Sequence, residues 1–235
     1  MSVYIEALVL YAVLFLPGLV ISLTGSVVLP AAVEPVRMLI FNIPSTALIL
    51  YLAHRGRQDN TWGLKPGAKD LFSCLIAFPC LLIIGFIIAY SSSFFGDTTV
   101  QITFVPPSGA VGWILLCVSC ISTGYLEESF FRLYLLGRFS GGINRRFADA
   151  PLREDDNILS RRKEIKPGVP AAMAVSAALF SICHIYEGPW GLLNSALSGI
   201  LLSVIFLRYN SLHGIALAHG LYNIAAYAVA AIVIS

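Results

Sequence analysis

Charge is what this chain has least of. Asp, Glu, Lys and Arg make up 12% of its 235 residues, about half of the quarter that soluble domains carry. Hydrophobic residues account for 57% and the mean hydropathy is +0.82, which excludes a soluble domain. A net charge of +2 offers no basic footprint for nucleic acid, so none is expected as a partner. No basic residue precedes the first apolar run and no small-residue cleavage site follows it, so that run is expected to be a retained helix and not a removed signal peptide. Cysteines are few: Cys74, Cys80, Cys117, Cys120 and Cys183 all fall within apolar runs. The usual fate of a thiol there is packing. Cys117 and Cys120 form a CxxC, but redox and metal pairs of that kind sit in accessible, electropositive surroundings, and this one does not. No internal repeat is visible.

Long apolar runs are what the chain has instead. A hydrocarbon layer about 30 Å thick needs roughly 20 apolar residues in helical form. Seven runs approach that length, over 3–23, 29–52, 71–90, 110–137, 170–186, 191–207 and 212–234. The expectation is an all-α, polytopic transmembrane helix bundle of seven or eight spans, forming one integral membrane domain over 1–235. The fourth run is long enough to tilt or project. Basic residues concentrate in two connections: Arg55, Arg57, Lys65 and Lys69 in one, and Arg138, Arg145, Arg146, Arg153, Arg161, Arg162, Lys163 and Lys166 in the other. Basic loops stay in the cytoplasm, which places the N-terminus inside and the C-terminus opposite. Segment 138–168 reads as a cytoplasmic loop or surface-lying helix, too short to bury a core of its own.

Ionisable groups inside such runs cost at least about 2.5–3.5 kcal/mol each at the bilayer centre, so they face a protein interior and mark function. Three clusters stand out. In "GYLEESFFRLYLL", Glu128 and Arg132 are four apart and pair on one helical face, while Glu127, rotated about 100° away, is left free. "FSICHIYEG" stacks Phe180 and His184, and "HGIALAHGLYN" stacks His219 and Asn223. A buried glutamate beside a histidine suits general-base activation of water, and a second histidine with an asparagine offers donors to a developing oxyanion. At about 1.5 Å per residue, Glu127 lies some 16 Å from Arg138 and His219 some 12 Å from Ser211. His184 lies about 21 Å from Pro170, so a tilted fifth helix, or one that begins in the cytoplasm, is needed to level it with the others.

The order E-E-x-x-x-R, F-x-x-x-H, H-x-x-x-N on separate membrane helices resembles the CPBP (ABI) family, which includes the type II CAAX prenyl endopeptidases. The resemblance covers about 112–227, within a catalytic core of about 110–230. It implies that Glu127 and His184 activate water, that His219 and Asn223 stabilise the oxyanion, and that Glu128 and Arg132 support them with Phe180 packing alongside. It further implies an intramembrane endopeptidase acting on a membrane-associated peptide or protein within the lipid bilayer. A zinc ion held by Glu127, Glu128, His184 and His219 is disfavoured, because no HExxH is present; no cofactor is expected. Two other classes use the same residue types: a non-proteolytic membrane binding or immunity protein, and a proton-coupled transporter. The intact motifs stand against the first, and the lack of an inverted repeat stands against the second.

Overall fold

The computed structural model describes residues 3–24, 33–55, 63–95, 106–139 and 168–234. All regular structure among them is helical, as hydrocarbon requires of a chain that must satisfy its backbone internally. The polar connection expected over 138–168 lies almost wholly outside the described residues.

The first apolar run folds as α1 (Val3–Leu14) and α2 (Leu16–Thr24), broken at Phe15. Pro17 causes the break, because it has no N–H for the preceding turn and its ring crowds that turn. Next come α3 (Glu34–His54), α4 (Ala68–Ser92) and α5 (Gly109–Glu128). Helix α5 continues without a turn into a π-helical segment, Ser129–Leu136, all eight residues of which are buried. The later helices are α6 (Gly168–Ile182), α7 (Gly188–Tyr209) and α8 (Leu212–Ile234).

Six stretches are long and apolar enough to cross a membrane, the fourth of them being Gly109–Leu136, 28 residues long. The fifth run behaves differently. Expected over 170–186, it is a helix of only 15 residues that stops at Ile182, about 22 Å of rise against a layer of about 30 Å. The chain then turns through Cys183 and His184 and takes a single 3-10 turn, Ile185–Glu187. Gly188, at φ 78°, and Pro189 start the next helix. Only 22–39% of each long span is buried within the protein, and Leu8, Ile43, Phe86, Val111 and Ile232 point outward. Such an apolar exterior is stable only in lipid, so the chain is an integral, multi-pass membrane protein.

Helix α8 packs on α5 and α4, α6 pairs with α7, and α3 lies against α5 and the π segment. The α5–α8 contact is backbone to backbone. A Cβ on Gly124 would sit 2.5 Å from the Ala216 carbonyl, and one on Gly220 would sit 2.8 Å from the Ile121 Cα.

Polar contacts gather one end of the bundle. Arg55, just after α3, donates to Glu6 on α1 at 2.9 Å. The Tyr4 ring lies 5.0 Å from Phe139. Lys69 donates to the Asn210 carbonyl at 2.6 Å, and Leu212 N donates to the Gly63 carbonyl at 2.9 Å. The start of α1, the end of α3, the start of α4, the end of α7 and the start of α8 therefore share one end, the end that carries the basic connections.

Candidate active site

Arg132 is fully enclosed, and so is Glu128 four residues before it. A buried charge needs both a counter-charge and further hydrogen bonds. Arg132 finds three partners: Nη1 donates to Glu128 Oε1 at 3.1 Å, Nη2 donates to the Gly199 carbonyl of α7 at 3.3 Å, and the guanidinium carbon stands 4.6 Å from the centre of the Phe180 ring. The same carboxylate oxygen of Glu128 also takes a hydrogen bond from His219 Nδ1 at 2.8 Å. One carboxylate thus joins its own helix to α8, and one guanidinium joins it to α6 and α7.

Phe180 is the packing centre of the group. Its ring meets His219 edge-on at 5.7 Å, His184 at 4.8 Å and Phe131 at 5.2 Å. That assigns F-x-x-x-H a physical meaning on both sides: the ring packs against the arginine, and the backbone serves the histidine. His184 Nδ1 lies 2.9 Å from the Phe180 carbonyl. A carbonyl only accepts, so Nδ1 carries the hydrogen and Nε2 of the neutral ring keeps a free lone pair.

His219 is held on both of its nitrogens. With Nδ1 committed to Glu128, its Nε2 faces Glu127 Oε2 at 3.5 Å, beyond the usual hydrogen-bond range. The sequence reading grouped His219 with Asn223. The structure adds that His219 stands between the two glutamates. Glu127 makes no ion pair with His184 among the described residues, and its buried Oε2 has no hydrogen-bond partner there. Asn223 is half-buried and one turn beyond His219.

These residues form two levels. Arg132, Phe180, Gly199 and His219 are joined side by side. Asn223 lies one turn beyond His219 on α8, about 6 Å; Glu127 precedes Arg132 on α5 and His184 sits in the turn after α6, so all three are displaced toward the end opposite the basic connections. The depth mismatch disappears because Phe180 is level with His219. The first turn of α6 is then about 18 Å below that level and the first turn of α8 about 10 Å, so α6 starts further out. Among the described residues no three His, Cys, Asp or Glu side chains converge as metal ligands.

Residues 109–225 match the model of the family described as type II CAAX prenyl endopeptidase Rce1-like. The chain belongs to the CPBP family of CAAX-type endopeptidases. No curated protein and no solved structure matches it. Every residue of the two levels falls within the CPBP match, which ends within α8 two residues beyond Asn223.

Two polar residues of α1 that brace the CPBP-matched region escaped the sequence reading. Glu6, 9% exposed, accepts from Tyr134 of the π segment at 2.9 Å. Tyr11 donates to the Leu179 carbonyl at 3.0 Å. Glu6 had the one available signal, a carboxylate inside an apolar run. Tyr11 had none, because a tyrosine in such a run reads as packing.

Proposed function

We propose that the chain is a glutamate-type intramembrane endopeptidase that hydrolyses a peptide bond of a membrane-associated peptide or protein without a metal ion. Glu127 and His184 take the proton of a water whose oxygen attacks the scissile carbonyl carbon. His219 and Asn223 donate to the oxyanion that forms, and the proton passes to the leaving nitrogen as the C–N bond breaks. The observation that carries the reading is the hydrogen bond from His184 Nδ1 to the Phe180 carbonyl. It leaves a proton-accepting Nε2 on His184, while a buried carboxylate oxygen of Glu127 has no hydrogen-bond partner among the described residues.

Charge balance supports the part given to His219. Two carboxylates and one guanidinium sum to −1, and a low-dielectric interior disfavours uncompensated charge. An imidazolium at His219 brings Glu127, Glu128, Arg132 and His219 to zero and supplies an Nε2–H for an oxyanion. Glu128 and Arg132 then act as supports. The basic connections and the N-terminus face the cytoplasm by the positive-inside bias, with the C-terminus opposite.

The test uses the full chain in detergent micelles with a fluorogenic farnesylated CAAX peptide as probe. Cleavage is expected to fall about 10²–10⁴-fold in Glu127→Gln and in His184→Ala, the range for loss of general-base catalysis, with the melting temperature of Glu127→Gln retained. Full activity in either variant overturns the mechanism. EDTA is expected to leave the rate unchanged; inactivation reversed by Zn²⁺ overturns the metal-free reading. Equal cleavage of the unfarnesylated peptide would remove the lipid from the substrate requirement.

A further inference from the structure

We infer that Tyr11, on the first helix and outside the family match, is a positioning residue for His184. The inference rests on the reading of His184 as half of the water-activating pair.

Helix α6 ends two residues before His184, and the last carbonyls of a helix have no partner within it. Leu179 illustrates the problem. Its carbonyl receives a bond from Cys183 N that is stretched to 3.4 Å. The Tyr11 hydroxyl supplies a better one, donating to the same carbonyl at 3.0 Å. The hydroxyl oxygen in turn accepts from the Cys183 thiol at 3.3 Å. One phenol thus grips the terminal turn of α6 at two points. Between them lies Phe180, whose carbonyl orients the His184 ring, and directly after Cys183 comes His184 itself.

The His184 backbone leaves the helix at φ −106° and ψ 11°, and its carbonyl accepts from Glu187 N at 3.0 Å. Its N–H reaches the Ser181 carbonyl at 2.9 Å, and the Ser181 hydroxyl ties that residue to the Leu192 carbonyl of α7 at 2.7 Å. The turn is therefore held by α7 on one side and by Tyr11 on the other.

Tyr11 is itself fixed. It is 6% exposed and packs with Phe15, Phe130 and Phe131 at ring separations of 5.8, 6.3 and 6.4 Å. Five residues earlier, Glu6 binds Tyr134 and Arg55, which sets the depth of α1 against the π segment. The first helix so contributes a hydroxyl to a site whose other members lie about 110 or more residues further along the chain.

The experiment compares the full wild-type chain with Tyr11→Phe, which keeps the ring and removes only the hydroxyl. Ring-labelled histidine NMR in micelles reads the state of His184, its signal identified by its disappearance in His184→Gln. In Tyr11→Phe, His184 is expected to change from a single Nδ1–H form to a mixture and to shift its titration, while His219 and His213 stay unchanged. Cleavage of the farnesylated probe is expected to lose about tenfold in kcat with KM retained. Phe15→Leu, which loosens the same ring cluster without touching a hydroxyl, is expected to lower the melting temperature and leave the His184 signal alone. Should Tyr11→Phe not fold, Cys183→Ala reads the same signal with the thiol contact removed. An unchanged His184 signal in the folded variant overturns the inference, and so does an equal shift of all four histidines. If wild type fails to cleave any probe, the catalytic reading falls, while the NMR comparison still decides whether Tyr11 positions His184.

Discussion

At the scale of the residue, the site turns on how Glu127 and Glu128, adjacent in sequence, come to differ. The helix aims Glu128 at Arg132 and His219 and aims Glu127 at the far nitrogen of His219. Removing Glu128 strips Arg132, which has no exposure, of its ion-pair partner. Glu128→Ala is therefore expected to cost about 3–5 kcal/mol, seen as a large fall in melting temperature in micelles. Glu127→Gln keeps the volume and leaves the Arg132 pair intact, so it is expected to cut cleavage about 10²–10⁴-fold and retain the fold. A Glu128→Ala protein as stable as wild type would show that Arg132 finds its compensation elsewhere. The i,i+4 pairing of Glu128 with Arg132 was legible in the sequence because both residues sit on one helix. The contact of Glu128 with His219, 91 residues away, was not, since sequence spacing carries no information about which helices are neighbours.

At the scale of the element, two departures from plain helix build the site. The first is the π segment that begins directly after Glu128, a rare winding found mostly at functional sites. It buries all eight of its residues and brings Tyr134 to Glu6. The second is the early end of α6, which sets His184 in a turn and not in a helix. Neither is written in hydropathy, because both depend on backbone bonding. The glycine contact was half legible: Gly124 opens the motif, but only the structure shows the Ala216 carbonyl against it. A methyl group there must push α5 and α8 apart, and overpacking costs about 1–3 kcal/mol. Gly124→Ala is expected to lower the melting temperature and also to cut cleavage, because α8 carries His219 and Asn223. Wild-type activity in that variant would mean that the two helices need not be in backbone contact.

At the scale of the whole molecule, the family match begins at 109, yet α1 is stitched to the matched part by Glu6 and Tyr11. Glu6→Ala removes an acceptor for Tyr134 and Arg55 and is expected to cost about 0.5–1.5 kcal/mol for each hydrogen bond lost, with cleavage reduced through Tyr11. Glu6→Gln, which still accepts from Tyr134, is expected to recover part of both. Activity unaffected by Glu6→Ala would reduce α1 to a passive span. Unfolding in micelles followed by tryptophan fluorescence, alongside the probe assay, separates the two effects.

What the sequence by itself determined is the solvent, the class of fold and the residue types of the site. Apolar runs of about 20 residues have only one use, and charges inside them survive only when paired or put to use. The family was legible for the same reason, since its three motifs are local patterns each confined to one helix. The tertiary structure decided everything that passes between helices: His219 standing between two glutamates, the Phe180 ring over Arg132, and the reach of Tyr11 to the end of α6. Such contacts are set by side-chain packing and depth in the bundle, and no periodicity along a single helix encodes them.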